Sequence, residues 1–249
     1  MPKIQHTPTY AQCVIDLLQA ASEPMSVDAL LDAVAELRPV GTGGRVAVVK
    51  ALNAHYQTVP VAKDRYGWLP NLLRDNVVRH PLTEREMRRG YLMLDELEHA
   101  VFFPEFFQQQ RAVERNLTIH LLDGPTIHAA AYIERRVWSL RLGNEFSEWV
   151  DQRGGNGQDA IVIRVDDAAA GVYTLRLQPR EARDAQAIQQ RNIDLALCAE
   201  SIVNDNETEY LAAWQLVAQL IARGAYADPV PPDELHYALH HFSVLKFVE

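Results

Sequence analysis

His236 and His240 stand four residues apart near the end of the chain, with Glu234 before them and His241 after. On a helix that spacing sets two imidazoles on one face, where a zinc ion takes nitrogen ligands. No Glu follows His236, as an H-E-x-x-H helix requires, and spacing fixes no third ligand, so no metal is assigned. RGGNGQD at 153–159 is a second candidate, because glycine-rich turns wrap phosphates. Here the turn follows helix-like residues and opens the strand-like run AIVIRV. A phosphate loop has the opposite order, leaving a strand and opening a helix. No Lys-Ser/Thr pair accompanies it, so it reads as a chain reversal. The chain has no G-x-S-x-G elbow and no spaced D…E-x-K signature. Cys13 and Cys198 sit in apolar helical patterns and read as core residues of a protein in a reducing compartment. By motif there is no catalytic residue and no cofactor, and the expectation is a non-enzyme.

The elements around these residues are those of a globular chain. It has 249 residues, 48% hydrophobic and 23% charged, enough for one large domain or two of about 100 residues. No run of about 18 apolar residues offers a membrane span. The opening MPKIQHTPTYAQ lacks the apolar core of a secretory signal, so a cytoplasmic location is expected. The net charge of −9 is unevenly spread. Residues 1–37 sum to −4, 38–92 to +6, 93–110 to −4, 111–180 to zero and 181–249 to −7. A basic segment between acidic ones points toward a polyanionic partner despite the overall sign.

Val14, Leu17, Leu18 and Ala21 share a face of a first helix, and Pro24 stops it. Ser26 caps a second helix with Asp28 in its first turn and Leu30, Val34 and Leu37 inward. A third helix from Gly44 to Tyr56 turns Val46, Val49, Leu52 and Tyr56 inward, leaving Ala47, Lys50, Ala51 and Ala54 outward with Asn53 and His55 at the edges. Two short β-prone runs then flank KDRYG. This order resembles the winged helix-turn-helix modules of chromatin- and restriction-linked proteins and of an RNA polymerase accessory subunit, over about 65 residues. The resemblance implies a recognition helix in the major groove and a wing on the backbone. Lys50 would meet a phosphate or guanine, Asn53 an adenine, and Arg45, Lys63 and Arg65 would lie at the helix start and wing. The face is equally suited to docking on a protein. Residues 73–89 then read as a basic linker, with Arg88 and Arg89 at its end and a short helix begun by Thr83.

From Gly90 the period changes to two. GYLMLDELEH and AVFFPEFF read as strand, turn and strand, and Asp123-Gly124 marks a hairpin turn. In VWSLRL, Trp138, Leu140 and Leu142 face one way and Arg141 the other. Asn144 caps a short helix bearing Phe146, Trp149 and Val150, and two more strands follow the glycine turn. Phe103, Pro104, Phe107, Asp123, Gly124, Trp138, Phe146, Trp149, Val150, Gly157, Asp159 and Ile161 match the pattern of the plant "B-three" transcription factors and some restriction-enzyme recognition domains. The likeness covers about 90 residues and implies a DNA-binding pseudobarrel with a plugging helix. Arg135, Arg136, Arg141, Arg164 and Arg176 would then face the backbone. Asp95, Glu96 and Glu98 depart from the family pattern, placing carboxylates where its first DNA-gripping arm is basic.

The remaining residues read as three helices of net charge −7, a lid or a surface for a protein partner or self-association. The expected class is thus α+β: a winged helix at 1–72, the basic linker at 73–89, a β-pseudobarrel at 90–180 and an acidic helical appendage at 181–249. Double-stranded DNA is the expected partner, for a transcriptional regulator or a recognition module of a DNA-processing system. A protein-interaction adaptor and the recognition half of a nuclease are the alternatives.

Overall fold

The first two helix starts follow from side-chain caps. In the computed structural model, which describes residues 7–105, 113–134, 137–206, 210–227 and 229–248, the Thr9 hydroxyl accepts from the Gln12 amide at 3.1 Å and opens α1 (Tyr10–Ala20). Ser26 does the same for α2 (Val27–Leu37) by accepting from Ala29. Each cap satisfies an amide that the helix itself leaves without a partner.

The chain divides into two compact units, Met1–Leu72 and Leu73–Glu249. In the first, β1 (Met25–Ser26) joins α1 to α2, and α3 (Gly44–Ala54) precedes β2 (Thr58–Ala62), β3 (Arg65–Trp68) and the short α4 (Leu69–Leu72). The three strands form an antiparallel sheet in the order β1-β3-β2. Asp64 takes a left-handed φ of 55° at the β2–β3 turn, a conformation Asp tolerates. Cys13, Val14, Leu18, Leu30, Val34, Val48, Ala51, Leu52 and Trp68 form the core.

That core corrects the expected orientation of α3. Val48, Ala51 and Leu52 are buried, whereas Val46 is 74% exposed and Val49 only half-buried. An all-apolar run of Val and Ala gives the 3.6 period little contrast, so neighbours rather than pattern set the inward face. Leu37, expected inside, is also exposed.

The second unit contains β4 (Val77–Pro81), α5 (Glu84–Arg89), β5 (Tyr91–Met93), α6 (Glu96–Phe102), β6 (Val113–Leu121), β7 (Thr126–Glu134), β8 (Val137–Arg141), α7 (Asn144–Gln152), β9 (Ala160–Asp167), β10 (Val172–Gln178), α8 (Ala185–Asp205), α9 (Ala213–Ala222) and α10 (Leu235–Phe242). The chain is therefore α+β. Seven strands curl into a half-barrel in the order β4-β9-β10-β6-β7-β8-β5. Only β10 and β6 run parallel. Because side chains alternate along each strand, the registers place Val78, His80, Ile161, Ile163, Tyr173, Leu175, Leu117, Ile119, Ile127 and Ala129 on one face. All ten are buried. Phe146, Trp149 and Val150 of α7 are buried as well.

Three expectations change here. Residues 73–89 are not a linker, since β4 pairs with β9 along its length and α5 follows at once. The run expected as a second strand after Met93 is α6, whose start is fixed by a capping box of Asp95 and Glu98. Its residues from Leu97 to Phe102 are all buried, the polar Glu98 and His99 among them, and a helix buried on every side shows no 3.6 period to find. Asn144 is the first residue of α7 rather than its cap, which is Gly143 at φ 77°.

Candidate nucleic-acid interface

Arg45, Lys50 and Asn53 share the exposed face of α3 and, with Val46, Val49 and Ala54, line a shallow depression of about 660 Å³. Ala51, expected on this face, is buried beneath it. Lys63 stands at the exposed β2–β3 turn, and Arg65 donates to the Pro24 carbonyl at 2.8 Å. Arg45 is ion-paired with Asp28. Residues 1–72 hold six Lys/Arg and six Asp/Glu, yet residues 44–65 hold four of the bases and only one acid, Asp64. Asp16, Asp28, Asp32 and Glu36 lie instead on α1 and α2. This unit is neutral in sum and polar in layout, with its positive charge on α3 and the hairpin.

The second unit scatters its expected cations. Arg164 and Arg176 are exposed on adjacent strands, where Arg164 pairs with Thr174 and Arg176 with Val162 across the ladder. Asp166 neutralises Arg164 at 2.7 Å. Arg141 lies four strands from β9, with its guanidinium 4.0 Å above the Tyr132 ring. Arg88 pairs with Glu84 at 3.2 Å in α5, and Arg89 is exposed beside it. Arg135 and Arg136, like Phe107, fall outside the described residues. Strand alternation indicates which face each arginine takes. It does not bring Arg141 and Arg164 into one row.

The strongest electrostatic feature is internal. His80 on β4 places Nδ1 2.8 Å from Glu98 Oε1 and Nε2 3.1 Å from Glu86 Oε1, with all three side chains buried. Both partners are carboxylates, which only accept, so both imidazole nitrogens must carry protons. Burial alone would lower the His80 pKa, but the charges and hydrogen bonds of Glu98 and Glu86 outweigh it and raise it. Burial opposes ionisation of Glu86 too, yet His80, the Met93 amide and Thr83 hold it below the usual carboxylate range.

Each glutamate also closes a capping box, Glu86 with Thr83 and Glu98 with Asp95. One imidazolium thus ties the starts of α5 and α6 to β4, and the Met93 amide of β5 reaches the same Glu86 oxygen at 2.7 Å. The strands joined this way are the two ends of the sheet. Asp95 feels the same crowding: removal from water, then Glu98, Glu96 and Glu234, push its carboxyl up to about 7. The sequence signals for this cluster were Thr83-x-x-Glu86 and Asp95-x-x-Glu98, each a capping-box spacing. Nothing local marks His80 as their common partner.

A second buried charge, Arg79, was likewise invisible in the pattern. It donates to the Pro231 carbonyl at 3.0 Å and to Gln178, and lies 3.5 Å from Asp233. Burial lowers its pKa to about 10, against the pull of Asp233. Arg183 and Asn192 also hold Asp233, at 2.7 and 3.0 Å. These contacts clasp the 231–233 segment to the sheet, beside a cavity of about 270 Å³ lined by Arg79, Arg183, Asp233 and Glu234 with Pro81 and Tyr237.

His236 pairs with Glu96 at 3.2 Å and stacks on Phe247, while His240 meets His241 edge-on. Among the described residues no group of three or more His, Cys, Asp or Glu could hold a metal ion. The glycine turn is tied down by structure. Asp159 accepts from the Asn156 and Arg180 amides, each at 2.9 Å, and Gly157 donates to Glu84 at 3.1 Å. Its amides serve the fold. No helix among the described residues is long and apolar enough to cross a membrane. No protein-family model matches the chain, and no curated protein matches it in sequence.

Proposed function

We propose that this chain is a double-stranded DNA-binding protein, a regulator or a recognition module of a DNA-processing system. In this reading residues 1–72 act as a winged helix-turn-helix module, and the half-barrel belongs with the DNA-binding pseudobarrels. The observation that carries the proposal is the charge layout of the first unit. Arg45, Lys50 and Asn53 stand out of α3, Lys63 and Arg65 stand on the following hairpin, and Asp64 between them is the one acid of residues 44–65. The order α1-β1-α2-α3-β2-β3 with sheet order β1-β3-β2 supports it, because a winged helix uses those two elements for groove and backbone.

The test is duplex binding as a function of salt. Four cations on the α3 and hairpin surface predict a slope of log K against log salt of about −3 to −4, at roughly −0.9 per neutralised phosphate. Joint reversal by Lys50→Glu and Lys63→Glu should reduce that slope by about two and weaken binding to all sequences alike. Absence of binding to random duplex at about 50 mM salt and micromolar protein rules the proposal out.

A further inference from the structure

The exposed face of α3 has an apolar centre that charge does not explain. Val46 is 74% exposed, and Val49 and Ala54 extend the apolar lining of the same depression. Arg45 and Lys50 flank it, and Asn53 lies seven residues from Val46, two helical turns along the same face. Nothing in the first unit's core requires Val46, since Val48, Ala51 and Leu52 fill that side of the helix. Residue 46 is thus free to meet a partner's surface.

In a major groove the one apolar group on a base edge is the thymine C5-methyl, and the pairing suited to asparagine is the N6/N7 edge of adenine. Resting on the DNA-binding reading above, we infer that α3 selects A·T pairs through two specificity-determining residues, Val46 against a thymine methyl and Asn53 against an adenine edge. Seven residues of helix rise about 10.5 Å. At about 3.4 Å per base pair, the two contacts fall roughly three base pairs apart. Lys50, on the turn between them, meets the backbone. Arg45 and Lys50 beside the patch, with no acid on α3 itself and Asp28 ion-paired to Arg45, fit a polyanion better than a protein groove.

The experiment uses the full-length chain. Sites enriched from a random duplex pool are resynthesised with single thymines replaced by uracil, which removes only the methyl. The wild-type chain should enrich A·T pairs at two positions about three steps apart. Uracil at the contacted position should weaken its binding about fourfold, the value of roughly one buried methyl. Val46→Ala should bind thymine and uracil duplexes equally, and Asn53→Ala should lose the adenine preference while keeping the uracil effect. Ala is the better helix former at an exposed site, and circular dichroism verifies that both variants are folded. Equal wild-type binding to thymine and uracil duplexes at every position overturns the inference and leaves the DNA-binding reading standing. So does a uracil effect that survives Val46→Ala. Failure of the wild type to bind any duplex removes both.

Discussion

Replacing His80 by Gln separates the ionic linkage from ordinary packing. The substitution removes the one positive charge between Glu86 and Glu98, whose side chains are 5% and 4% exposed. Two carboxylates would then face each other out of water, keeping their bonds from Thr83, Met93 and Asp95 but with one neutral amide in place of the imidazolium. Breaking a buried pair by removing one partner costs about 3–5 kcal/mol, against a total stability of about 5–15 kcal/mol. For a unit the size of residues 73–249 each kcal/mol shifts Tm by about 2–4 °C, so the midpoint should fall by about 6–20 °C. The triple change His80→Gln, Glu86→Gln, Glu98→Gln keeps acceptors for both capping boxes and buries no charge, so it should be more stable than the single variant. The pH dependence has a definite sign. Folded His80 has its pKa raised from 6.5 to about 10, so its contribution is complete below pH 6.5 and fades as pH rises toward 10. Urea unfolding of wild type and variants at pH 6, 8 and 9.5 measures all of this. A loss below about 1 kcal/mol for His80→Gln, or a triple variant less stable than the single one, refutes the reasoning.

Two further outcomes follow from the same unit. Asp95→Asn retains a good helix cap and removes a carboxyl whose folded pKa is raised from 3.8 to about 7. A raised acid favours the folded state at low pH, so the variant's advantage over wild type should grow from about pH 4 to pH 7 and stay level above. Parallel urea titrations at pH 4.5 and 8 read it, and an advantage confined to the lower pH contradicts it. Gly124→Ala would drive a Cβ into Trp149 Cδ1. Overpacking of that kind costs about 1–3 kcal/mol, visible as a lowered Tm and a changed tryptophan emission.

The sequence was most informative where a physical signal is local. Ser26 as a cap, Asp123-Gly124 as a hairpin turn, and Phe146 with Trp149 as inward residues each depend on neighbours within a few positions. α3 was harder, because Val46, Ala47, Val48 and Val49 offer no polar contrast to tell which valine faces out. α6 was harder still: β-prone residues such as Val101, Phe102 and Phe103 outweighed the Asp95-x-x-Glu98 signal. The expected DNA-facing residues divide along the same line. Lys50 and Asn53 take the exposed positions expected of them. Val46 was taken for core because apolar residues usually are. The partners of Arg45 and Arg164, which temper their charge, come in one case from another helix and in the other from two positions along the same strand. His80 depends on two glutamates 6 and 18 residues later, on two separate helices, a convergence no periodic pattern marks.

The order of strands also bears on how the polypeptide is made. β4 is the first strand of its sheet to be synthesised, yet Val77 pairs with Arg164 in β9, and β5 must wait for β8. Pairing so distant in sequence slows folding. During translation Val77 and Val78 therefore have no ladder to join, while the β6–β7 hairpin can already close. A nascent chain in this condition offers an apolar, unpaired strand to its neighbours. The two capping boxes lie just downstream of that strand, and the acid side chains they position are within reach of His80 as soon as α6 has emerged. The buried imidazolium is thus placed to tether β4 to local helices long before its permanent partner exists.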